Sequence, residues 1–139
     1  MLATAIRAAM FGSMALAGAI APAVAEKLRL RADLLPVAGT TSKAAGDLVA
    51  HYDTDGNKFT WRGTYRGLGT YAISANFQGA PGSEHRDSVA IRTIDSPFEG
   101  TAILSDKQAK GLLASEWSIV IRTAAFPEGE LLGQIVRGH

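Results

Sequence analysis

The sequence predicts an all-β domain, an antiparallel sandwich or flattened barrel with one short helix, and three observations carry that expectation. Apolar residues recur with a period of two in one segment after another. Clusters of Gly, Pro, Asn and Asp separate those segments at short intervals. A single stretch has the capping pattern and composition of a helix.

Each element follows from the same rules. "KLRLRADL" places Leu28, Leu30, Ala32 and Leu34 on one side and Lys27, Arg29, Arg31 and Asp33 on the other, a half-buried strand. Its basic fringe reads as protection of an exposed sheet edge, and that edge as a place where a partner can add a strand. A linker of small and turn-forming residues, "PVAGTTSKAAG" at 36–46, follows. "DLVAHY" and "KFTWRGTY" flank "DTDGN", where Asp55, Gly56 and Asn57 tolerate positive φ, so the pair is expected to form a hairpin. Phe59, Trp61 and Tyr65 then share a face. After a second turn, "RGLG", the segment "TYAISANF" alternates Tyr71, Ile73, Ala75 and Phe77 with Ala72, Ser74 and Asn76, and Gln78 continues the second series.

The loop "GAPGSEHRD" leads to "SVAIRTI" and "FEGTAIL", both strand-like. Ser105 with Gln108 three residues on forms a capping box, Asp106 suits the positive end of a helix dipole, and "KQAKGLLA" supplies helical residues that Gly111 keeps short. "EWSIVIRT" and "ELLGQIVR" close the count at eight expected strands and enclose "AAFPEG". The core is expected to hold Leu28, Leu30, Leu48, Phe59, Trp61, Tyr71, Ile73, Phe77, Val89, Ile91, Ile103, Leu112, Trp117, Ile119, Ile121 and Ile135. Trp61 and Trp117 belong there rather than in a binding site because their neighbours two residues away are apolar.

The first 25 residues, "MLATAIRAAMFGSMALAGAIAPAVA", read as a cleavable signal peptide. Arg7 precedes an apolar stretch from Ala8 to Ala21 that is shorter than the ~20 residues a membrane span needs. Ala23 and Ala25 suit signal peptidase, so a mature chain from Glu26, periplasmic or secreted, is expected. The whole chain has 14 Lys and Arg against 13 Asp and Glu, and loss of Arg7 makes the two equal. A neutral domain without a basic stripe excludes nucleic acid as a partner class. No membrane span is expected after cleavage. With no cysteine, an exported chain must take its stability from packing instead of disulfides. One domain, 26–139, is the expectation.

The segment "LSDKQAKGLLASEWSIVIRTAAFPEGELLGQI" resembles the end of a CHRD domain, the module named after chordin and found in bacterial exported proteins. Leu104, Ser105, Gln108, Trp117, Thr123, Phe126, Pro127, Gly129, Glu130, Gly133 and Gln134 match the family's pattern in order, and the resemblance spans about 45–136. It implies a Greek-key β-sandwich or barrel, immunoglobulin-like or Cu/Zn superoxide dismutase-like, and a protein-interaction role. "FPEG" on its own reads as a hairpin turn, with Pro127 fixing φ and Phe126 tucked beneath.

The family commonly has His-Phe-His-Gly where this chain has Asn76, Phe77, Gln78 and Gly79, and His-Thr where it has Arg122 and Thr123. Two histidines at i and i+2 on a strand can chelate one metal, whereas carboxamides are poor ligands for zinc or copper. Asn76, Gln78 and Arg122 are expected to point outward, either as three solvated polar side chains of an outer sheet face or, where their strands are neighbours, as one binding patch suited to a carboxylate, a sugar or a peptide edge, and so to a protein or carbohydrate partner. No metal, cofactor or catalytic residue is expected. His51, His85 and His139 lack metal-ligand spacing, "DTDGN" lacks the rest of a calcium loop, and nothing suggests an acid and base in Glu128 and Glu130. The expected function is a non-catalytic binding or structural module of the cell envelope. The alternative is a metal-dependent redox enzyme or metal carrier of superoxide dismutase-like type.

Overall fold

The two-residue alternation of the first three segments becomes an antiparallel meander: β1 (Lys27–Pro36), β2 (Ala45–Asp53) and β3 (Lys58–Arg66). The computed structural model describes residues 26–79 and 88–138. The expected signal peptide, the loop carrying His85 and the terminal His139 lie outside the described residues. Gly56 and Asn57 turn the β2–β3 hairpin with φ of 85° and 53°, as their residue types predict. The remaining elements are β4 (Ala72–Gln78), β5 (Ser88–Ala90), β6 (Phe98–Ile103), a helix α1 (Asp106–Leu113), β7 (Ser118–Thr123), β8 (Leu131–Gln134) and β9 (Val136–Arg137). The capping box forms in both directions between Ser105 and Gln108.

The strands lie in the order β5-β4-β7-β8-β1-β2-β3-β6, with β9 also on β1, and curl into a nearly closed antiparallel barrel. β8, from late in the chain, lies beside β1, so that β8-β1-β2-β3 has the Greek-key order. The last expected strand splits in two because β8 pairs with β7 and the end of β1, while β9 pairs farther back along β1. Gly133 permits the close crossing there: a Cβ would lie 2.6 Å from the Asp33 carbonyl oxygen.

Inside, four aromatics from different parts of the chain meet. Phe59 and Phe77 pack edge to face at 5.0 Å between centroids, Trp61 and Phe77 at 4.9 Å, and Trp117 lies 5.8 Å from Phe59. Leu30, Leu34, Leu48, Ile119, Ile121 and Ile135 surround them, all fully buried. Each large apolar side chain so placed contributes on the order of 1.5 to 3 kcal/mol.

Four expectations are corrected. Tyr71 and Ile73 are exposed, at 74% and 46%, because a bulge between Ala72 and Ser74 breaks the β4–β7 register and reverses which side chains face inward. Ala72 takes the inward position instead. Ile103 is also exposed, since on β6 the inward residues are Phe98, Gly100 and Ala102. Leu28 and Val89 are only half-buried against the core. Finally, β1 is no edge: it pairs with β2 on one side and with β8 and β9 on the other. A strand added to β1 would have to displace β2, β8 or β9, and among the described residues the terminal strands of the sheet are β5 and β6.

Candidate functional site

Asn76, Gln78 and Arg122 occupy the outer face of adjacent strands. β4 pairs with β7, with Asn76 opposite Val120, Gln78 opposite Ser118 and Ser74 opposite Arg122. Below the bulge the parity argument holds, and all three polar side chains are half-buried on the side away from Ala75 and Phe77. The Arg122 guanidinium donates a short hydrogen bond to Asn76 Oδ1, and Asn76 Nδ2 donates to the Phe77 carbonyl at 3.3 Å. Arg122 and Asn76 are therefore tied to one another by a single bond, which leaves other guanidinium donors of Arg122 without a partner among the described residues. Gln78 stands apart, in a groove of about 530 Å³ that it shares with Leu35, Trp117, Ser118, Leu132 and Gln134.

That groove contains residues that sequence reading passed over. Val120 pairs with Leu132, and Leu132 with Leu35, so an apolar row crosses β7, β8 and β1 beside Asn76. Leu35 is 60% exposed and Leu132 41%. The alternation of β1 ends at Leu34, and Leu35 follows it onto the outer face; two adjacent leucines at a strand end are the signal that was available.

The second feature is Glu130. It is fully buried, at the end of the barrel where the β1–β2, β3–β4 and β7–β8 loops converge. Ser42 Oγ donates to Glu130 Oε2 at 2.6 Å, Thr123 Oγ1 to Oε1 at 2.8 Å, and the Gly69 N–H to Oε2 at 3.1 Å. Each hydroxyl also accepts from a main-chain N–H, Ser42 from Ala44 and Thr123 from Phe126, which fixes its proton toward the carboxylate. Burial pushes the Glu130 pKa up, but the bonds from Ser42, Thr123 and Gly69 outweigh it and hold the acid below its ordinary value. Glu128, two residues away, is exposed. The two carboxylates thus have separate surroundings, and Glu130 is a structural tie among three loops. "FPEG" forms the expected hairpin connection, with Gly129 at φ 138° and its N–H bonded to the Phe126 carbonyl.

The third feature is the seam between β5 and β6. Trp61, expected in the core, is buried there, but its Nε1 is the one buried side-chain polar atom among the described residues without a hydrogen-bond partner. Among the same residues no group of three or more His, Cys, Asp or Glu side chains is close enough to hold a metal ion. His51 lies on the outer face of β2, beside Lys58 and Thr60.

No curated protein and no solved structure matches the chain. A sequence profile of the CHRD domain does match it, over residues 29–135. The match includes β1, upstream of the region that carries the sequence resemblance, and ends at buried Ile135. It takes in the aromatic core, the Glu130 tie and the whole sheet of the described residues apart from Lys27 and Leu28 at the start of β1 and the short β9. The chain belongs to the CHRD domain family.

Proposed function

We propose that this CHRD domain is an exported, non-catalytic binding or structural module of the cell envelope, and that the outer face of β4, β7, β8 and β1 contacts its partner. The observation carrying this reading is the composition of that face. Leu35 and Leu132 are exposed beside Val120 and fringed by Gln78, Ser118 and Gln134, with the Asn76–Arg122 pair at one side. The groove is also lined by the Asp33 and Glu116 carboxylates, and apolar side chains surrounded by amides, hydroxyls and acids give a contact patch both desolvation energy and orientation. The carboxylate with the altered pKa, Glu130, is enclosed and fully engaged by its own chain, which supports a structural role over an acid–base one.

The test is cross-linking capture from envelope extracts, comparing the wild type with a variant in which Asn76, Gln78 and Arg122 are all replaced by alanine. Loss of the captured partner in the variant supports the face as a contact surface; equal recovery rejects it. Elemental analysis of protein purified from its native compartment addresses the metal-dependent alternative, since stoichiometric copper or zinc would overturn the non-catalytic reading.

A further inference from the structure

The barrel is open along one line. Among the described residues β5 is hydrogen-bonded only to β4 and β6 only to β3, so each keeps one unpaired edge there. Between them runs a cleft of about 450 Å³ lined by Trp61, Val89, Arg92, Glu99, Gly100 and Thr101, among others. An antiparallel strand with a neighbour on one side leaves alternate N–H and C=O groups free on the other.

Trp61 reaches this cleft because its cross-strand neighbour is Gly100. A Cβ at position 100 would lie 2.5 Å from Trp61 Cζ2 and 3.2 Å from Nε1, so only glycine lets the indole lie across β6. Trp61 is 4% exposed, and its Nε1–H, itself closed to solvent, has no partner among the described residues, so an acceptor from outside reaches it only if β5 and β6 move apart. An indole nitrogen only donates, so whatever satisfies it must bring an acceptor. Trp61, Glu99, Gly100 and Thr101 also line a cavity of about 560 Å³ on the outer face of β3 and β6. The cleft therefore continues over the β6 edge.

We propose that an extended peptide segment of a partner protein enters this seam and pairs along β6, with one of its main-chain carbonyls accepting from Trp61 Nε1–H. The inference rests on the binding-module reading above and names both a second surface and the partner's chemistry. A strand is the ligand that supplies donors and acceptors at the spacing of a free edge. A small anion fits less well, because Glu99 lines the cleft with Arg92. Among the described residues the one ion pair is Arg31–Asp33, so Arg92 and Glu99 do not neutralise each other and each selects a peptide side chain of opposite sign. A sugar stacking on the indole is disfavoured too: Phe59 and Phe77 pack on Trp61 at 5.4 and 4.9 Å, and the ring reaches the cleft by its edge.

The probe is a displayed library of random peptides about eight residues long, selected on the purified protein. Its best sequence is then synthesised with and without N-methyl groups on alternate main-chain nitrogens. The expected result is binding that moves the Trp61 indole N–H resonance while leaving that of Trp117 in place, and that N-methylation abolishes. Trp61→Phe should weaken it about five- to tenfold by removing one donor. Arg92→Ala, at an exposed position, should weaken binding of acidic peptides without touching the core. Binding should persist when Asn76, Gln78 and Arg122 are all alanine. Peptides that instead shift Leu132 and Asn76 and leave Trp61 unmoved would reject the seam and keep the binding-module reading. Failure of peptides combined with capture of a protein partner on the Asn76 face would do the same. An oligosaccharide that moves the Trp61 resonance where no peptide does would overturn the peptide assignment, as would reversible dimerisation through β6 without peptide. No ligand at either surface would overturn both proposals.

Discussion

Where the three loops converge, the Glu130 carboxylate takes hydrogen bonds from Ser42, Thr123 and the Gly69 main chain; at the seam, the Trp61 N–H is nearly as deeply buried and meets no acceptor among the described residues. A buried polar group without a partner costs free energy that a satisfied one does not. The barrel thus commits its buried acid to holding loops together and leaves its buried indole donor unused. The contrast also follows the sheet. The Glu130 end joins β7 to β8, which lie within the sheet, whereas Trp61 lies at the seam between β5 and β6, the terminal strands among the described residues. A buried polar group of the first kind stabilises the fold, and one of the second kind adds no hydrogen bond to it.

Breaking the Glu130 tie should have the largest effect. Glu130→Ala leaves two hydroxyls and a main-chain N–H facing an apolar gap, and should lower unfolding free energy by about 3 to 5 kcal/mol, measured by urea denaturation. A pH series sharpens the same point. Because the folded state holds the Glu130 pKa down, its contribution is present above the unfolded-state value and disappears as pH falls through the folded-state value. Wild-type stability should therefore decline below the ordinary glutamate range more steeply than that of Glu130→Gln, which has no proton to gain; parallel curves would contradict the assignment.

Filling the gap over β6 comes next. Gly100→Ala places a methyl carbon against the indole and should cost about 1 to 3 kcal/mol by overpacking, read in the same denaturation experiment. A neutral outcome would mean that Trp61 has an alternative position. The smallest effect is expected on the outer face. Asn76→Ala removes a partly exposed pair with Arg122 and should change stability by less than about 1 kcal/mol. A larger loss would make that pair structural and weaken its candidacy as a contact surface.

Much of the fold was legible in the sequence because β1, β2 and β3 alternate without interruption and their turns contain the residues that turns require. Reading failed where backbone irregularity, which leaves no mark in a two-residue pattern, intervened. Ile73 and Tyr71 continue the parity of Phe77, but the bulge turns them outward. Edge or centre is likewise invisible in a single strand: the charged fringe of β1 suits an edge, yet β8 and β9 return from the far end of the chain to cover it. Of the candidate site, parity put Asn76 and Arg122 on the outer face, but their adjacency depends on the pairing of β4 with β7, which no single strand reveals. Glu130 was identifiable as a family position, but its role depends on Ser42 and Gly69, 88 and 61 residues away. Trp61 was rightly expected in the core, while its unused N–H depends on Gly100 across the sheet.

The most direct test is to compare Glu130→Gln with Trp61→Phe by urea denaturation at neutral pH. Glu130→Gln should lose about 2 to 3 kcal/mol, since it weakens bonds that the chain makes to a charge. Trp61→Phe should stay within about 1 kcal/mol of wild type, because lost packing is offset by removal of a buried donor with no acceptor. Equal losses, or a greater loss at Trp61, would mean that the indole N–H already has a partner within the fold and that the seam is closed.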